Sequence, residues 1–406
     1  MNSYYKSIIA VKLIAVLIVG GGCTENKNKS ETISADSANT QQTSEKQGTT
    51  TSSIALTYDK KFDQIASVIA GIKQQPGSEY SYIDTTAAWK SFSKSFDSVW
   101  AAIDKKRFSK MREWAKTEHA EQYNSTTDVF YPFSGPDILN AHILFPNAKT
   151  YTLLALEPIG ELPDIKSMNA LQRQNYYNSV EKSLNDVFKK SYFITMKMIS
   201  DLQKYNVNGT VPLMCLFLKR TGNTITNIRY VAIDSTGKIT EEAASQKDSK
   251  SVKGVRIDFI SAPGSTDVRS VYYFKVDLMD GPLRSNVAMT NYLKNMGTVY
   301  TYLKSASYLL HYKEFSTVRN IIFEKSDMIL QDDSGIAYRF FDQKKFKIQL
   351  YGRYADPVAD FPHIKEPDLR KAYESDSSKV KELPFELGYH WGTKQHNMLK
   401  AVKIKP

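Results

Sequence analysis

The chain has 406 residues, of which 41% are hydrophobic, 24% charged and 12% aromatic. Those proportions are globular, and they exclude a collagen-like, coiled-coil or wholly disordered chain. Lys and Arg number 54 against 43 Asp and Glu, a net charge of +11, and the length allows one large domain or two to three ordinary ones.

The first 23 residues read MNSYYKSIIAVKLIAVLIVGGGC. Lys6 and Lys12 make a positive start, Leu13 to Val19 is an unbroken apolar run, and Gly20, Gly21 and Gly22 lead to Cys23. This is the layout of an export leader, not of a folded element. Lys12 leaves the run short of the roughly 20 apolar residues that a permanent span needs. The segment resembles a bacterial lipoprotein signal, in the looser form found in the Bacteroidota, with Gly20 where Leu is commoner. The resemblance implies a signal peptide over 1–22 and a lipidated Cys23, carrying palmitate or similar acyl chains. Each buried CH₂ adds about 0.8 kcal/mol of membrane affinity, so two or three chains anchor stably. Thr24, in place of Asp, points to outer-membrane sorting. The expected placement is the bacterial outer membrane, facing the periplasm or the cell exterior, with the membrane as a partner through the anchor. Plain secretion with a free Cys23 thiol is the alternative.

Residues 24–53 hold 13 Ser or Thr among 30 and no aromatic residue. They can form no core, so 23–56 reads as a lipidated cysteine and disordered tether, spanning on the order of 30 Å as a flexible coil. Asp36-Ser37-Ala38 resembles the O-glycosylation acceptor of the Bacteroidota, and a plain linker explains it as well. Two lysines and no acid leave with the leader, so the mature chain is near +9. A basic exported protein could meet a glycan or an anionic envelope component. The basic residues are scattered, with no Arg-rich helix and no zinc-finger spacing, which argues against nucleic acid.

From Tyr58 onward the pattern is periodic, and 57–406 reads as a single composite domain that could divide into lobes 57–207 and 208–406. Phe62, Ile65, Ile69 and Ile72 predict a helix, as do Trp89, Phe92, Phe96 and Trp100. Asp128–Phe133 predicts a strand, Ile138–Phe145 a helix and Thr150–Leu156 a buried strand. That is a right-handed crossover unit with its strands parallel. Residues 164–206 predict a long helix. The apolar run 211–219, holding Cys215, predicts a buried strand paired with 224–234 through Thr221-Gly222-Asn223. Strands 253–261 and 269–278 follow, then helices 285–296, 298–312 and 315–324, a strand at 326–330, a turn at 332–335, a mixed stretch 336–354, a helix at 366–373 and a strand at 397–404. The expected fold class is α/β (mixed α+β): a mixed sheet with a crossover near 128–156, antiparallel strands within 211–278, and flanking helices.

Tyr131-Pro-Phe-Ser-Gly-Pro-Asp137 ends a strand and opens a helix, where α/β proteins place ligand sites. Ser134 could be a nucleophile or ligand donor, and Asp137 an acid, base or metal ligand. The same residues also fit a capping box, with Ser134 at the N-cap and Asp137 at N3. Glu157 lies just past the next strand and could converge on Asp137, for acid–base work or for a divalent cation that nothing else in the sequence supports. Asp332 and Asp333 offer a second carboxylate pair, or a plain turn with Ser334 and Gly335. Phe130–Glu161 and Ser326–Phe341 resemble an uncharacterised bacterial family sharing the Tyr-Pro-Phe-Ser-Gly-Pro-Asp and Leu-Glu-Pro-x-Gly signatures; the resemblance implies no activity and carries over no site residue.

No His-Glu-x-x-His pattern is present, and His390 and His396, flanking Trp391, lack metal partners in the sequence. Cys215 reads as inert core. Tyr300, Tyr302, Tyr308 and Tyr312 could stack on sugars or pack inward, with Lys304 interrupting their stripe. These observations predict an envelope-tethered binding or accessory protein with no assigned cofactor. The alternative is an extracytoplasmic hydrolase centred on Ser134, Asp137 and Glu157.

Overall fold

Residues 58–190, 207–241, 251–355, 358, 360–375 and 377–405 are described by a computed structural model. The leader, Cys23, the Asp36–Ala38 triplet and residues 191–206 of the predicted 164–206 helix lie outside these residues.

Local chemistry starts the helices where the sequence provides caps. Asp59 accepts from Lys61 N at 2.9 Å to open helix Lys60–Ile69, and the Thr86 hydroxyl accepts from Trp89 N to open Ala87–Ile103. The second helix passes through a π-turn at Asp104–Phe108 into Ser109–Glu118. Their apolar faces, with those of helices Ile138–Leu144, Ala170–Lys190 and Val211–Arg220, pack on one side of a sheet. Helices Asp280–Ser285, Val287–Asn295, Ser316–Lys325 and Pro367–Ser375 cover the other side.

The sheet has ten strands: β1 Val129–Pro132, β2 Thr150–Ala155, β3 Thr224–Ile233, β4 Ile239–Glu241, β5 Val252–Ile260, β6 Arg269–Lys275, β7 Val299–Leu303, β8 Ser326–Gln331, β9 Phe346–Gly352 and β10 Asn397–Lys403. Their spatial order is β4-β3-β5-β6-β2-β1-β7-β8-β10-β9. The five central strands, β6 to β8, are parallel, and antiparallel strands extend both flanks. Side chains alternate between the two cores: Val129 and Tyr131 enter one and Phe130 the other, and Met328 and Leu330 oppose Ile329. Helices on both faces bury the centre, which is why its strands are apolar almost throughout. The fold is therefore a mixed α/β sheet between two helical layers, and strands from either side of residue 208 interleave in it.

The crossover β1–helix 138–144–β2 is present, with Val129 opposite Tyr151. Two elements differ from expectation. Residues 211–220 form a helix, not a strand. Every residue from Val211 to Leu218 is buried, so the run is apolar on all sides and periodicity cannot separate helix from strand. Thr221-Gly222-Asn223 closes that helix: Gly222 is left-handed at φ 87° and Asn223 N bonds Leu218 O at 3.0 Å. Burial pushes the Cys215 thiol far up, as befits a core thiol. Residues 298–312 hold β7 and then irregular turns, because Val299-Tyr-Thr-Tyr-Leu303 alternates aromatic and β-branched residues that favour a strand. The predicted 285–296 helix is present as Val287–Asn295, capped by the Asn286 side chain, and a short helix Asp280–Ser285 precedes it.

β1 connects to β2 over one face, and β7 connects to β8 over the other through helix 316–325. The two connections run away from the neighbouring pair β1/β7. Strand order reverses there, and the crevice at the carboxyl ends of such strands is where open α/β sheets bind ligands.

Candidate functional site

All the predicted site residues in the described chain sit at the carboxyl ends of the central strands. Phe133 and Gly135 are both left-handed, at φ 62° and 56°, so the chain turns twice after β1 before its helix starts. The capping box is displaced as a result. Asp137 itself is the N-cap, its Oδ1 accepting from Asn140 N at 3.2 Å and from Asn140 Nδ2 at 2.9 Å. The Ser134 hydroxyl donates to Gly135 O at 2.9 Å. Asp137 Oδ2 accepts from Tyr131 OH at 3.0 Å and lies 2.6 Å from Lys304 Nζ, which comes from the end of β7. Glu157, past β2, is fully buried, and Tyr273 OH donates to its main-chain oxygen at 2.9 Å.

Asp332-Asp333-Ser334-Gly335 is a turn, and its side chains point inward. Asp332 Oδ2 accepts from Ser305 N at 2.9 Å, and its Oδ1 from Ser334 N at 3.1 Å. Ser334 Oγ accepts from Ala306 N at 2.8 Å, and Ser334 O from Tyr308 N at 3.1 Å. This turn therefore holds the loop after β7 in an unusual shape: Ser305, Ser307 and Tyr308 are left-handed at φ 53°, 54° and 55°. Non-glycine residues in that region cost about 1–3 kcal/mol each and persist only where surroundings over-determine them, which is typical of functional sites.

Asp333 Oδ2 accepts from Tyr308 OH at 2.6 Å and meets His390 Nε2 at 3.1 Å, and Oδ1 accepts from Asn397 Nδ2 at 3.0 Å. These environments split two adjacent carboxyls. Burial and then the Asp333 charge push Asp332 up to about 6. Burial also opposes ionisation of Asp333, but hydrogen bonds from His390, Tyr308 and Asn397 outweigh it and hold Asp333 low. His390 is raised, its burial outweighed by Asp333. Such separation of neighbouring titrations is the arrangement that acid–base sites use. Close by, burial raises Glu366 to about 8, and its Oε1 lies 3.2 Å from His311 Nδ1. A cavity of about 10 Å³, room for one water, lies between Asp332, Asp333, Tyr338, Glu366, Tyr373 and Asn397.

No protein-family model, curated protein or solved structure matches the chain. Roles are therefore argued from geometry. Among the described residues, no three His, Cys, Asp or Glu side chains come together in a way that could hold a metal ion, and no helix is long and apolar enough to cross a membrane. A shallow groove of about 730 Å³ beside Trp114, Lys110 and Lys381 shares no residue with the strand-end cluster; its size reflects openness to solvent, and its Lys381 is paired with Glu118 at 2.7 Å.

Sequence reasoning missed Ser305 and Asn397, gave Lys304 no role, weighed Tyr308 only for sugar stacking or packing, and weighed His390 only as a metal ligand that lacked partners. Lys304 did leave a signal: a lysine directly after an apolar strand, taken there as an interruption among tyrosines. Gly388 left another. A Cβ at that position would stand 2.2 Å from Asp332 Oδ2, so glycine is what allows the 388–390 turn to close on the cluster.

Proposed function

We propose that the mature chain is a lipid-anchored protein of the bacterial outer membrane that binds an envelope ligand, as a binding or accessory protein, at the strand-end edge beside β1 and β7. The observation that carries this reading is the strained 305–308 loop, fastened by Asp332 and Ser334 over the point where strand order reverses. Support for the anchor comes from the leader and Cys23. The net positive charge favours a glycan bearing acidic groups, or another anionic envelope component. The hydrolase reading built on Ser134, Asp137 and Glu157 has less behind it, since the Ser134 hydroxyl is spent on Gly135 O and Asp137 on Lys304 and its own helix.

The test has two parts. Mass spectrometry of the native protein should find an acylated Cys23 as the mature terminus, and an unprocessed or unacylated terminus would remove the anchor. Lipopolysaccharide and acidic glycan fragments, titrated calorimetrically into the full-length protein in detergent, should bind. Ser334→Ala, which frees Ala306 N, should weaken that binding tenfold or more. Equal affinity in the variant would move the ligand site elsewhere.

A further inference from the structure

The end of β7 carries a serine that the sequence did not single out. In α/β hydrolases the nucleophile sits on a sharp, strained turn at a strand end, where the hydroxyl stands above the sheet. Ser305 has a similar placement, left-handed at φ 53° two residues beyond the central parallel strand β7, next to the reversal of strand order, although irregular turns and not a helix follow it. Its main chain is clamped, the N–H by Asp332 at 2.9 Å and the carbonyl by Tyr389 OH at 2.8 Å. Its Oγ is shielded from solvent and takes no hydrogen bond. A clamped backbone with an idle hydroxyl is uneconomical for a structural serine, which would normally satisfy that group.

The turn above it supplies the rest. A Cβ at Gly388 would lie 3.6 Å from Ser305 Oγ, so the segment that carries His390 lies against the hydroxyl. His390 Nε2 faces Asp333, itself fixed by Tyr308 and Asn397, so Nδ1 is the nitrogen that would take a proton once the turn shifts to bring it to Ser305 Oγ, which it does not touch in the resting arrangement. A hydroxyl, an imidazole and a carboxylate that orients the imidazole are the parts of an activated serine. Ser305 and Tyr389 are half-buried, so the place reaches the surface. Gly388 and Gly392, left-handed at φ 66° and 72°, bracket the turn that would lift to admit a substrate.

We propose that Ser305 is the nucleophile of an acyl-transfer site for ester substrates, with His390 as its base and Asp333 as the residue that orients His390. This rests on the reading that places the ligand at this edge. Ser305 Oγ bonds to the ester carbonyl carbon as its proton passes to His390. The carbon–oxygen bond to the alcohol breaks, and the departing alkoxide takes that proton. Water, deprotonated by His390, then cleaves the acyl-serine, releasing the acid and restoring Ser305.

The probe is diisopropyl fluorophosphate, small enough to pass a slight opening of the turn, applied to the full-length protein in detergent. Ser305 Oγ bonds to phosphorus, fluoride leaves and the serine proton goes to His390. Intact-mass and peptide mapping should find one adduct, on Ser305, absent from Ser305→Ala. His390→Gln should form it about 100-fold more slowly, and the wild-type rate should fall as pH drops through the His390 titration, which is raised above 6.5. Near-UV circular dichroism checks that both variants remain folded. No adduct on Ser305 under exposure that fully labels a known serine hydrolase, an adduct only elsewhere, or an unchanged rate in folded His390→Gln would overturn the assignment. Calorimetry on the wild-type protein separates the two readings: an envelope ligand bound without any adduct removes the nucleophile and leaves the ligand site standing, whereas an adduct on Ser305 without ligand binding does the reverse.

Discussion

Lys304 Nζ stands 2.6 Å from Asp137 Oδ2, with both side chains almost wholly buried. The pair ties the end of β7 to the end of β1 across the reversal of strand order. Burying a lone charge is costly, and removing one member of a buried pair typically destabilises by about 3–5 kcal/mol because the other is left uncompensated. Asp137→Asn keeps an N-cap residue in place and so isolates the charge. Asp137→Asn and Lys304→Met should each lower stability by about that amount in urea denaturation. The double variant should lose clearly less than the sum. Single losses below about 1 kcal/mol would contradict a buried ionic tie.

Glu366 predicts an alkaline weakness. Burial raises its folded pKa to about 8 from an ordinary 4.5. Between those values the folded state holds a proton that the unfolded state has lost. The contribution to stability is full below about 4.5 and is lost as pH rises through about 8. Melting temperature should therefore decline as pH rises from about 6.5 to 8 and level off above that, and Glu366→Gln should flatten that decline. A Glu366→Gln profile that still falls like the wild type would rule Glu366 out as the cause.

The histidines predict the opposite weakness in acid. Burial holds His119, His142 and His311 down at about 4. His142 has a stereochemical reason as well: Asn223 Nδ2 donates to its Nε2 at 3.0 Å, and its Nδ1 meets Tyr151 OH, which already donates to Phe145 O. A proton on Nε2 would set donor against donor. Because these pKa values are depressed, the unfolded chain binds more protons between 4 and 6.5, and stability should fall with pH across that window. His142→Gln should melt lower at pH 7.5 but lose less on acidification to pH 5. If acidification costs the variant as much as the wild type, His142 is not a source of the acid sensitivity.

Parts of this arrangement are legible in the sequence, and parts are not. The β1–helix–β2 unit announced itself because Gly135 and Pro136 separate an apolar strand from an apolar helix. Ser134, Asp137 and Glu157 were singled out because they follow predicted strands, and Asp332 and Asp333 because they are an adjacent carboxylate pair. Their partners were not found, since Lys304 lies in the segment read as a helix, and His390 and Asn397 lie more than fifty residues beyond Asp333. Such pairings are set by strand order, which no local pattern encodes. The 211–218 run failed for a different reason: full burial erases the periodicity that would distinguish its two readings.

Gly388 and Gly392 make a matched pair that tests how tightly the 388–392 turn is seated. Both are left-handed, at φ 66° and 72°, so an alanine at either pays the same backbone strain, about 1 kcal/mol or slightly more. They differ in what a methyl would meet. At Gly392 there is nothing within 4 Å, whereas at Gly388 the new Cβ would stand 2.2 Å from Asp332 Oδ2. That contact is too close to survive, and the carboxylate cannot retreat without giving up the Ser305 and Ser334 N–H groups it holds. Gly392→Ala should therefore cost only the strain. Gly388→Ala should cost several kcal/mol, each further 1.4 kcal/mol being tenfold in the unfolding equilibrium. Urea denaturation of the two variants side by side makes the comparison. Equal losses would mean that the turn does not rest on Asp332, and that the cluster is open where the present geometry closes it.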